Sequence, residues 1–121
     1  MMNDESISNL RHRTKEFALR VIKLFSALPK STEAQVIGKQ ILRSGTSVGA
    51  QYREACRARS NAEFISKMQS GLQELDETTY WLELLTEGEI VKPERLKSLQ
   101  DEANQLTAIF VASVKTAKMK K

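Results

Sequence analysis

The sequence predicts an all-α fold, an up-down-up-down antiparallel four-helix bundle. Three observations predict it. Apolar residues recur at spacings of three and four through four long segments. Only five glycines and two prolines occur in 121 residues, too few for the many turns of an all-β fold. The connecting segments, 29–31, 59–60 and 88–92, are short, and short connections leave neighbouring helices antiparallel. The length predicts one domain, residues 1–121.

The first helix is predicted over about 5–28. Ile7, Leu10, Thr14, Phe17, Val21, Leu24 and Leu28 form its stripe, widened on one side by Ala18, Ile22 and Phe25. Ser6 is the expected N-cap. Pro29 stops the helix, because the residue before a proline is pushed out of the helical region.

The second helix is predicted over about 32–58, opened by a Thr32/Gln35 capping box. Ile37, Ile41, Val48, Tyr52 and Ala55 share one face, with Gly38, Leu42, Gly49 and Cys56 beside them and Gly45 between. Each internal glycine costs about 1 kcal/mol against alanine. The apolar period runs through Gly45 and Gly49, one turn apart. Close approach of another backbone is therefore expected, in preference to a break near 44–47.

The third helix is predicted over about 61–87. Ser60 and Glu63 make an S-x-x-E start, and Gly88 is the expected C′ residue. Phe64, Met68, Leu72, Leu75, Thr79 and Leu82 form its stripe, with Ile65 at the edge. The fourth helix is predicted over about 93–118, with Pro93 and Glu94 in the first turn. Leu96, Leu99, Ala103, Leu106, Phe110, Ser113 and Ala117 repeat as its core positions. Lys115, Lys118, Lys120 and Lys121 complement the C-terminal end of its dipole.

Composition removes most chemistry. One cysteine and one histidine cannot build a disulfide framework or a Cys/His zinc site. A di-iron bundle needs Glu-x-x-His on two helices, and His12 has Asn9 three residues before it. Cys56 reads as a buried, inert thiol and Glu74, Asp76 and Glu77 as a solvated face. Gly38, Gly45 and Gly49 match no phosphate-loop pattern. The expectation is a non-enzymatic protein with no cofactor, no metal and no small-molecule substrate. No apolar run approaches a membrane span and the polar start lacks a signal-peptide core, so no membrane partner and a cytoplasmic location are expected.

The net charge of +4 is unevenly distributed. Residues 1–59 carry eleven lysines and arginines against five acids, whereas 74–102 carry nine acids against three bases. On the second helix Lys39, Arg43, Thr46, Ala50, Arg53 and Arg57 project within about 40° of one direction. Arg59 follows just past the end. This stripe is the candidate RNA- or DNA-binding surface, suited to tracking phosphates without reading bases. The competing reading is a protein-interaction scaffold. Its candidate oligomer interface is Tyr80, Trp81 and Leu84, which leave the third helix apolar nearly all round.

The stretches Ile41–Ala55, Arg57–Ile65 and Asp76–Leu85 closely resemble the bacterial four helix bundle protein family, also called the 23S rRNA intervening-sequence protein family. The resemblance spans about residues 7–115. It implies an up-down bundle that assembles into a ring-like homopentamer. Some members are encoded within intervening sequences of 23S rRNA genes. A related branch, the accessory proteins of diversity-generating retroelements, resembles a basic pentameric barrel that binds nucleic acid and a reverse transcriptase. No catalytic residues carry over. The matching polar positions are Arg43, Ser47, Glu54, Arg59, Ser60 and Glu63. Many members carry proline and Asn where this chain has Gly49 and Gln51, which implies a more regular second helix here.

Overall fold

The computed structural model describes residues 3–120. It contains α1 (Asp4–Ala27), α2 (Thr32–Cys56), α3 (Asn61–Glu87) and α4 (Pro93–Lys118), with no strand among the described residues. Backbone packing runs around the square α1–α2–α3–α4. It is most extensive between α2 and α3 and least between α4 and α1. Antiparallel order is visible in the pairs that meet. Gly38 and Gly49 of α2 face the end and the middle of α1, and Asn61 at the start of α3 donates to the Ala117 carbonyl at the end of α4. Lys121, part of the lysine tail, lies outside the described residues.

The helix starts differ from the sequence reading at two places. Asn3, not Ser6, caps α1: its Oδ1 accepts from the Ser6 amide at 2.7 Å, which makes Ser6 the third helical residue. Asp4 and Glu5 then occupy the first turn, where negative charge meets the positive dipole end. Ser31, not Thr32, caps α2, and no Thr32/Gln35 box forms. Gln35 donates instead to the Pro29 carbonyl at 2.8 Å and pins the turn. The α3 start follows its signature. Ser60 Oγ accepts from the Glu63 amide at 3.0 Å, and the Glu63 carboxylate reaches back to the Arg59 amide.

At the end of α3 the left-handed position is Glu89 (φ 59°), one residue after Gly88. The Ile90 amide donates to the Leu85 carbonyl and the Glu89 amide to the Thr86 carbonyl, which completes a Schellman motif. Gly88 has a different reason to be glycine. A Cβ there would stand 2.8 Å from the Leu84 carbonyl oxygen.

The core is continuous and aliphatic around Tyr52, Phe17 and Phe110. The Tyr52 and Phe110 rings meet across the bundle diagonal at 5.9 Å. α2 is unbroken, but its glycines make room chiefly for side chains of the first helix and its cap, not for the backbone expected. A Cβ on Gly45 would lie 2.7 Å from Val21 Cγ2, and one on Gly38 2.6 Å from Leu28 Cδ1. On α3 the buried face is rotated from the expected stripe. Gly71, Thr78 and Leu85 are buried, whereas Leu72 and Thr79 are half-buried. The reason is local chemistry. Gly71 makes room for Phe110, and Thr78 shares a 2.7 Å hydroxyl contact with Ser44 of α2. On α4 Val114 is buried and Ser113 half-buried.

Candidate nucleic-acid interface and assembly surface

Lys39, Arg43 and Arg53 stand on α2, so their spacing is fixed by the helix rise of about 1.5 Å per residue, whereas Arg57 is its C-cap and Arg59 lies just beyond. Lys39, Arg53, Arg57 and Arg59 are all exposed. None of these four side chains pairs with an acid among the described residues; the ion pairs there lie elsewhere. Arg43 differs. Its guanidinium reaches across to Glu74 and Glu77 of α3, and the hydrogen bond to Glu77 raises its pKa. Glu74 is accordingly half-buried, not part of a freely solvated face. Arg43 is thus a tie between α2 and α3 with half its side chain still exposed.

Along the antiparallel seam between α1 and α2, residues whose numbers sum to about 63 lie side by side, as Thr14 and Gly49 do. That register brings Arg11 beside Arg53 and Lys15 near Ala50 on the same outer surface. Arg11 is near enough to Tyr52 to favour its ionised form slightly, although burial dominates and pushes the phenol's pKa up. The seam between α1 and α4 carries the opposite kind of chemistry. Arg13 grips Glu102 with two hydrogen bonds (2.6 and 3.1 Å) and also reaches Gln105, while Arg20 donates to Ser98. The hydrogen bond to Glu102 raises the Arg13 pKa. Arg20, Ser98, Glu102 and Gln105 line an open depression of about 530 Å³.

The three residues of the candidate assembly surface separate. Tyr80 is 53% exposed, whereas Trp81 and Leu84 are half-buried. The Trp81 ring packs against the core and meets Tyr80 edge-on at 5.0 Å. Its indole Nε1 is buried with no hydrogen-bond partner among the described residues. A second exposed apolar pair, Leu19 and Ile22, stands on the outer side of α1 (47% and 43% exposed), although Ile22 is expected on the core stripe. Ile22 reads as an edge of the core stripe, and only the burial of its neighbours shows that it faces out. His12 is exposed and Cys56 half-buried, and no cluster of three His, Cys, Asp or Glu side chains that could hold a metal ion occurs among the described residues. No helix there is long and apolar enough to cross a membrane.

Comparison with known proteins agrees with this architecture. A solved structure from Bacteroides thetaiotaomicron, described as a protein with unknown function from the S23 ribosomal protein family, superposes with a TM-score of 0.84. It is 38% identical, and the match covers 90% of this chain and 97% of that one. A comparison with curated proteins finds no match. The profile of the 23S rRNA-intervening sequence proteins matches residues 8–112. With helices, connections and nearly the full length in agreement, the chain belongs to the 23S rRNA-intervening sequence protein family.

Proposed function

We propose that the protein is a non-enzymatic, cytoplasmic binder of RNA or DNA backbones that acts as a homo-oligomer. The observation that carries the binding reading is the set of exposed cations Lys39, Arg53, Arg57 and Arg59, none held by an acid of its own chain among the described residues. An acid-paired arginine has already exchanged water for a partner. An unpaired one gains by meeting phosphate and releasing a counterion. Half-buried Arg11 extends the surface from α1. No aromatic ring stands among these cations, so stacking on bases is not part of the reading.

The test is a salt titration of binding to mixed RNA and mixed DNA. Affinity should fall steeply with salt, and replacing Lys39, Arg53, Arg57 and Arg59 by glutamine should flatten the slope by about three to four. Absence of affinity at low salt, or affinity indifferent to salt, would overturn it. The scaffold alternative predicts that pulled-down partners survive nuclease treatment.

Self-association is the second part, supported by Tyr80, a large ring more than half exposed beside half-buried Leu84. A homopentamer is the state that family resemblance favours. Light scattering tests this directly, and a 13.7 kDa species at high concentration would defeat it.

A further inference from the structure

Two exposed apolar spots stand on diagonally opposed helices, α1 and α3, and each has a collar of charge. On α1 the spot is Leu19 with Ile22. Lys15 and Lys23 stand one turn before and one turn after Leu19 on the same outer face, and the exposed Glu16 at its edge is the single acid among them. On α3 the spot is Tyr80 with Leu84. Asp76 stands one turn before Tyr80, Glu83 about one turn after, and Glu87 a turn beyond that. Lys15, Lys23, Asp76, Glu83 and Glu87 are all exposed, and none is paired among the described residues. The acids of α3 that do pair, Glu74 and Glu77, lie on the side turned to α2.

The spacings match. Eight residues separate Lys15 from Lys23, about 12 Å along the axis, and seven separate Asp76 from Glu83, about 10 Å. Leu19 and Tyr80 sit near the midpoint of each pair. A ring of charge around a buried apolar centre is the general layout of a protein interface, with opposite signs on the two partners.

We propose that the outer face of α1 in one copy docks on the outer face of α3 in the next, Leu19 and Ile22 against Tyr80 and Leu84, with Lys15 and Lys23 meeting Asp76 and Glu83. The occupant of each face is therefore a second copy of this chain. The contact is heterologous, because the two faces are different patches of the same molecule. Such contacts propagate head to tail and close into a ring or extend into a filament. This inference rests on the self-association reading above and specifies its surface. It leaves Lys39, Arg53, Arg57 and Arg59 outside the contact.

Charge reversal tests it on the full chain. Lys15→Glu with Lys23→Glu leaves two acidic faces, and Asp76→Lys with Glu83→Lys leaves two basic ones. Each double variant should be monomeric by light scattering at concentrations where the natural chain assembles, with unchanged helical circular dichroism. The quadruple variant, with both reversals in one chain, should recover the natural particle mass. Raising salt should dissociate the natural chain and the quadruple variant alike. If the natural chain assembles and either double variant still does, or if the quadruple variant stays monomeric, this pairing is overturned while self-association stands. A natural chain that is monomeric throughout overturns both.

Discussion

The two seams that flank α1 are built from opposite materials. Toward α2, glycines remove side chains until Val21, Thr14, Phe25 and Leu28 lie against a bare helix surface. Toward α4, backbones hardly approach, and Arg13, Glu102, Gln105, Arg20 and Ser98 reach across a wide gap. One helix is thus held by close dispersion contact on one side and by long charged side chains on the other. Close contact is short-ranged and indifferent to salt, and it fails when atoms are added. A charged bridge tolerates shape changes and weakens as ions screen it. The bundle is therefore closed tightly from α1 through α4 in chain order and only latched where its first and last helices meet.

The largest effect should come from filling the tight seam. Gly45→Val places atoms where Val21 already stands, 2.7–3.2 Å from a built Cβ. Val21 is β-branched and fully buried, so it has little rotamer freedom with which to yield. Chemical denaturation should show a loss of about 3 kcal/mol, at the upper end for overpacking. Val21→Ala should cost about 2 kcal/mol alone through its cavity. In the double variant the two losses should not add, with a favourable coupling of at least about 1 kcal/mol. Full additivity would mean that the two residues do not meet.

Tyr52 gives the same seam a pH signature. Its hydroxyl reaches toward the Ile7 carbonyl and has Cys56 as a neighbour, and burial raises its pKa in the folded state. A raised folded pKa means stability that is present below the unfolded value, about 10, and is lost as pH rises above it. Above pH 10 the natural chain should lose stability more steeply with rising pH than Tyr52→Phe, by at most about 1.4 kcal/mol per pH unit. Identical alkaline slopes would remove the buried phenol from the account.

The latch should answer differently. Glu102→Ala leaves Arg13, whose side chain is 23% exposed, free to turn to water. The expected loss is about 1 kcal/mol at low salt and less at high salt. The Gly45→Val loss should not change with salt. Equal salt response in both variants would erase the distinction between the seams.

All four helices are legible in the sequence, because each keeps its apolar period for several turns. The sequence also marks Gly45 and Gly49 as tight places, since an unbroken stripe through glycines leaves a packing reason as the economical one, but the neighbours are side chains and not the expected backbone. It does not show what approaches. Register between α1 and α2 decides that Val21 meets Gly45 and Thr14 meets Gly49. Gly71 and Thr78 escape notice for a related reason: a small residue and a hydroxyl carry no apolar signal until Phe110 and Ser44 are known to face them. The cationic face is legible as a 100° pattern on α2. The pairing that sets Arg43 apart is not, because Glu74 and Glu77 lie more than thirty residues away in sequence.

Gly49→Ala should have the smallest effect, and it sharpens the comparison within the tight seam itself. A Cβ there would meet Thr14 Oγ1 at 3.2 Å and its Cβ at 3.4 Å, only slightly tight, whereas the Gly45 position is firmly blocked. Alanine gains about 1 kcal/mol of helix propensity over glycine. Against that stands a shift of a few tenths of an ångström at Thr14, whose hydroxyl donates to the Leu10 carbonyl at 2.8 Å and resists turning away. The two terms nearly cancel, so stability should change by less than about 0.5 kcal/mol in either direction. A Thr14→Ser background removes the γ-methyl and with it part of the side chain's resistance to moving. Gly49→Ala should then become stabilising, as a bare propensity gain would. If it instead costs several kcal/mol in either background, α1 and α2 approach even more closely at Gly49 than at Gly45, and the gradient of tightness along the seam runs the other way.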